Sequence, residues 1–94
     1  MKLESVKRVG KPKEFVAVFK RDDGRTKTVR FGTSSNFVLN KSKTEADRLA
    51  YIARHKVNEN WNSPDNAGAL SRFLLWETRS LQTNIRKFKS RFNV

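Results

Sequence analysis

The sequence predicts an α+β domain: a small antiparallel β-hairpin or meander of two or three strands, followed by three α-helices packed on it. Three observations carry this expectation. Two runs of strand formers, Phe15 to Phe19 and Thr26 to Phe31, flank Asp23-Gly24. Beyond Lys43 the apolar residues recur at helical spacing. Ten aromatics (seven Phe, two Trp, one Tyr) among 94 residues supply enough apolar mass for one modest core. The chain, 1–94, therefore reads as one domain.

Residues 1–13 are basic, with Leu3, Val6 and Val9 set among Lys2, Lys7, Arg8, Lys11 and Lys13. Ser5 to Val9 fits an edge strand ended by Gly10-Lys11-Pro12. A basic arm tracking a phosphate backbone is the alternative. Residues 14–32 read as the hairpin. A two-residue turn at Asp23-Gly24 places Val18 across from Val29 and Val16 across from Phe31, facing the core. Phe15, Ala17 and Phe19 then share the other face with Thr28 and Arg30. Aromatics interleaved with Lys20, Lys27 and Arg30 could stack bases there, although a covering helix is the favoured explanation.

Residues 32–43 form a connecting loop, pinned by Phe37 and Val38. Ser42-x-x-Glu45 reads as a capping box that opens a helix over 43–56, with the stripe Ala46, Leu49, Ile52 and Ala53. Ser63-Pro64 opens a second helix over 64–76. Its wide apolar face, Ala67 to Trp76, implies burial on several sides, and Ala67-Gly68-Ala69 admits a close neighbour. A third helix over 79–92, starting at Thr78 or Ser80, carries Leu81, Ile85, Phe88 and Phe92 on one stripe, with Arg79, Arg86, Lys87, Lys89 and Arg91 around it.

Lys and Arg number 21 against 9 Asp and Glu, a formal net charge of +12. That excess destabilises a small fold by self-repulsion, and a polyanion relieves it. Nucleic acid, double-stranded DNA foremost, is the expected partner. An acidic or capsid protein surface is the other. Lys20, Arg25, Lys27 and Arg30 on the hairpin and Arg86, Lys87, Lys89 and Arg91 on the last helix are the candidate phosphate contacts. Phe15, Phe19, Phe37 and Trp61 are candidates for a protein interface. No apolar run reaches membrane-span length, and the first residues lack the apolar core of a signal peptide, so neither a membrane partner nor secretion is expected. The expected location is a virion or the host cytoplasm or nucleus.

No catalytic constellation, cofactor motif or metal site is expected. Cysteine is absent. His55 and Glu59 share helical spacing, but a metal needs further ligands and there is no second histidine. Arg54, His55, Asn58 and Glu59 instead suggest a polar network closing the first helix. There is no glycine-rich phosphate loop. A helix-turn-helix is disfavoured, because about eight residues between the first two helices is long for its turn.

Tyr51-x-x-Arg54-His55, Asn58-Glu59-x-Trp61 and Ala67-Gly68-Ala69-Leu70-Ser71-Arg72-x-x-Leu75-Trp76, followed by a basic helix ending Arg91-Phe92, resemble a domain family of unknown function. That family is associated with small basic proteins of large double-stranded DNA viruses and some bacteriophages. The resemblance runs from Gly24 to Phe92, includes Phe31-Gly32, and is most specific over Ala67 to Trp76. Asn36-Phe37-Val38-Leu39-Asn40 departs from the more polar segment the family would place there. The resemblance implies a viral or phage origin and packaging in the particle. It transfers no catalytic residue.

Overall fold

A computed structural model describes residues 1–10 and 13–94. Lys11 and Pro12, expected to end the first strand, lie outside the described residues. Three strands, β1 (Lys2–Arg8), β2 (Phe15–Lys20) and β3 (Thr26–Phe31), form an antiparallel sheet in the order β1-β2-β3. The fold is α+β, and the first segment is an edge strand that begins before Ser5.

The hairpin register differs from the expected one. Phe15 pairs with Phe31, Ala17 with Val29 and Phe19 with Lys27. Arg21 N–H donates to the Arg25 carbonyl at 2.7 Å and Gly24 N–H to the Arg21 carbonyl at 3.0 Å, with Gly24 at φ +88°. The loop is thus Asp22-Asp23-Gly24, a turn followed by a left-handed glycine, and not a two-residue turn. Moving the pairing by one residue reverses the faces. Phe15, Ala17, Phe19 and Phe31 are buried, while Val16 and Val18 lie on the opposite face. Each fully buried phenylalanine contributes roughly 2 kcal/mol, so the register that buries three of them prevails.

Helix α1 (Glu45–Lys56) starts later than expected. Thr44 and Asp47, not Ser42 and Glu45, form its capping box. Ser42 is occupied elsewhere, its hydroxyl donating to Asn40 Oδ1 at 2.6 Å. Glu45 pairs with Arg48 at 2.8 Å. The expected apolar stripe is also corrected. Ala46 and Ala53 are exposed, Leu49 is 54% exposed and Ile52 is half-buried. The helix packs through Arg48, Tyr51, Ile52 and His55 instead. Tyr51 stacks flat on Trp76, centroids 4.2 Å apart at 5°. One large aromatic stack decides the helix's rotation over several alanines.

The second helix begins at α2 (Ala67–Leu70) and runs directly into a π-helical turn, Ser71–Leu75. Its cap is Asn66, whose Oδ1 accepts from Ala69 N–H at 2.8 Å, so Ser63-Pro64 lies before the helix. Asp65 is drawn to Lys27 of β3 at 3.0 Å. The wider turn sets Phe73, Leu74, Leu75 and, just beyond it, Trp76 all in the core. Gly68 admits the Glu59 carboxylate: a Cβ there would lie 3.0 Å from Glu59 Oε2. Helix α3 (Leu81–Phe92) is capped by Ser80, which accepts from Thr83 N–H at 3.2 Å. Phe88 is buried, with Leu81, Ile85 and Phe92 packed around it.

Candidate nucleic-acid interface

The helices bury one face of the sheet, and the other face carries charge. Its three cross-strand rows are Lys2–Lys20–Thr26, Ser5–Val18–Thr28 and Lys7–Val16–Arg30. Lys2, Lys7, Lys20 and Arg30 are exposed, and none forms an ion pair among the described residues. No acid and no aromatic occupies any of these positions. The two outer rows are separated by four residues of strand, roughly 13 Å.

The eight cations expected to contact phosphate do not form one surface. Lys20 and Arg30 share the open sheet face. Lys27 points to the covered face, and it and Arg21 (3.7 Å) both reach Asp65. Burial of Asp65 raises its pKa, but the Lys27 hydrogen bond and charge, with Arg21, outweigh that and hold the carboxyl below its ordinary value. Arg25 sits at the hairpin tip, 3.7 Å from Asp23. On α3, Lys87 is paired with Glu77 at 2.5 Å, and Arg91 lies over Phe73 at 4.3 Å. Glu77 also holds Arg72 at 2.9 Å. Burial pushes Glu77 up, and its bonds to Lys87 and Arg72 carry it below the usual value. Arg86 and Lys89 remain exposed and without a carboxylate partner among the described residues.

Lys2 and Lys7 were not expected on the sheet face. Their signal is the alternation of β1, masked because its register shifts between Leu3 and Ser5. The bulge leaves Leu3 and Val6 on the core side at a spacing of three, which defeats a strict period of two.

The aromatic contact candidates are mostly in the core. Phe15, Phe19 and Phe37 are 2%, 0% and 7% exposed, and this burial removes them from any contact surface. Arg79 covers Phe37 at 4.0 Å and donates to the carbonyls of Phe37 and Lys43, so this arginine clamps the 37–43 loop. Trp61 is half-buried; its indole N–H donates to Glu59 Oε2 at 2.8 Å. Glu59 therefore serves Trp61, while His55 Nδ1 donates to the Tyr51 carbonyl at 3.0 Å. The four-residue network around Arg54 resolves into these separate contacts. Among the described residues no three His, Cys, Asp or Glu side chains gather to hold a metal ion. No described helix is long and apolar enough to cross a membrane.

Compared with known proteins, the chain matches no family model, no curated protein and no solved structure.

Proposed function

We propose that this is a non-enzymatic protein that binds nucleic acid, double-stranded DNA foremost, through phosphates and without strong sequence preference. The observation that carries the reading is the open sheet face. It presents four cations without an ion-pair partner among the described residues, against one exposed acid of β1, Glu4 at the bulge. Lysine and arginine there would displace condensed counterions. The absence of aromatics from that face favours backbone contact over base stacking. Arg86 and Lys89 on α3 would add a second, weaker contact. A viral or phage origin, packaging in the particle and the corresponding location belong to the same proposal, and rest on the resemblance centred on Ala67 to Trp76.

The test is anisotropy of a random-sequence duplex across a salt series. Wild type is compared with the variant Lys2→Gln, Lys7→Gln, Lys20→Gln, Arg30→Gln. Tight low-salt binding is expected, with the slope of log K against log salt made shallower by about 3–4 in the variant. No low-salt binding, or an unchanged slope, overturns the assignment.

One observation favours a second reading, a minor structural protein contacting other virion proteins. Leu49 on α1 and Val57, which caps its C-terminal end, are 54% and 79% exposed, beside exposed Ala46, Ala50 and Ala53. If the duplex does not bind, that stripe is where a protein partner should be sought.

A further inference from the structure

A cleft of about 370 Å³ lies at the end of β3 and along α1, away from the open sheet face. Three cations from separate segments line it: Lys13 before β2, Lys43 before α1, and Arg54 on α1. None has a carboxylate partner among the described residues. Thr33, Ser35 and Ser71 also line the cleft, and among the described residues no acid does. Its wall is aromatic. Tyr51 lies between His55, 4.0 Å from its centroid, and Trp76 at 4.2 Å.

The surrounding backbone is firmly set. Gly32 has φ +82°, and a Cβ there would lie 2.4 Å from Leu75 Cδ1, so only glycine lets this strand end approach the wall. The Lys43 carbonyl is held by Arg79. His55 Nδ1 is committed to the Tyr51 carbonyl, and no hydrogen bond to Nε2 forms among the described residues. A larger cleft, about 440 Å³, lies between the π turn and α3, but its charges are already used: Lys87 by Glu77 and Arg91 by Phe73.

We propose that the Lys13–Lys43–Arg54 cleft is a binding site for a phosphate monoester carrying a planar base, a 5′-mononucleotide unit. Three unpaired cations match a dianion better than the single charge of a backbone diester. Arginine and hydroxyls supply charge-assisted hydrogen bonds to phosphate oxygens. His55, the half-buried end of the His55–Tyr51–Trp76 stack, provides the flat surface on which a base rests, while Tyr51 and Trp76 (9% and 7% exposed) back it from within. Two sources present this chemistry: a free nucleotide and the 5′-phosphorylated end of a strand. The inference stands apart from the sheet-face reading, since it uses none of those residues.

The test is calorimetry and amide NMR on the full chain. The probes are adenosine 5′-monophosphate, adenosine, inorganic phosphate, and a short oligonucleotide with and without a 5′-phosphate. Saturable binding of the monophosphate is expected, with shifts centred on Arg54, His55 and Lys43. Adenosine should bind more weakly. The Lys43→Gln, Arg54→Gln variant should weaken the monophosphate by at least about tenfold, the loss expected for charged hydrogen bonds. Both substitutions exchange exposed or half-buried side chains, so the fold should persist, and a thermal melt checks it. Arg54→Lys should restore part of the affinity. Arg86→Gln and the sheet-face variant should leave it unchanged, so this site and the sheet face fail separately. A phosphorylated oligonucleotide that binds tighter than both the free monophosphate and its unphosphorylated twin assigns the site to strand ends; equal or weaker binding assigns it to free nucleotide. No saturation by about 10 mM monophosphate, or equal weakening by Arg86→Gln, overturns the proposal.

Discussion

Asn84 shows how much one polar side chain can organise. It is fully buried on the inner stripe of α3. Its amide donates to the carbonyls of Leu74 (2.8 Å) and Thr78 (2.9 Å), and its Oδ1 accepts from Thr78 N–H (3.0 Å) and Thr78 Oγ1 (2.6 Å). All four bonds of the amide are made, so its burial is compensated. They tie the end of the π turn to the start of α3. Asn84→Ala would strand several of these partners, and should destabilise the fold by about 2–4 kcal/mol. Urea denaturation measures this, and a loss below about 1 kcal/mol would mean water replaces the amide. Asn36 does similar work in the 33–39 loop, where its Oδ1 accepts from Val38 and Leu39 N–H, both at 2.9 Å. Periodicity over apolar residues passes over both asparagines, because their value lies in hydrogen bonds to main-chain groups at irregular spacings, two to ten residues away.

At the scale of elements, α1 is the informative case. Its sequence holds two overlapping capping signals, Ser42…Glu45 and Thr44…Asp47, and two candidate faces. Local chemistry does not choose between them. Asn40 removes Ser42 from the contest, and the Tyr51–Trp76 stack turns the helix so that Leu49 faces outward. Leu49→Lys should therefore change the unfolding free energy by less than about 0.5 kcal/mol, as for an ordinary surface site. A core leucine at that position would instead cost several times more, and guanidinium melts separate the two. The hairpin presents the same ambiguity. Asp22-Asp23-Gly24 can close a loop of either two or three residues, and only the burial of Phe15, Phe19 and Phe31 together selects the register.

For the whole molecule, the few acids matter through where they sit. Asp65 fastens the segment before α2 to β3 and, through Arg21, to the hairpin loop. Glu77 joins the π turn to α3 through Arg72 and Lys87. Both carboxyls have folded pKa values below their ordinary 3.8 and 4.5. A depressed carboxylate stabilises the fold above the unfolded value, and that contribution is lost as pH falls through the folded one. Melting temperature should hold from neutrality to about pH 4.5, then fall as the solution is taken below pH 3.8. Asp65→Asn with Glu77→Gln should lower the plateau and flatten the fall. An equally steep acid transition in that variant would shift the effect to other carboxyls.

With 21 cations to 9 acids, most positive charge has no local counterpart. The sequence by itself determined that excess, the α+β order of elements and the existence of the hairpin, because each follows from composition or from contacts between near neighbours. Lys20 and Arg30 were legible as candidates from local context, and the structure places them on one open face. Tertiary structure alone decided which cations remain unpaired, since Lys27 is neutralised by Asp65, 38 residues on, and Lys87 by Glu77 across the turn that joins the π turn to α3. It likewise decided which face each strand shows, and it drew Lys13, Lys43 and Arg54 around one cleft. Those outcomes depend on packing energies summed over residues far apart in the chain, which no local window contains.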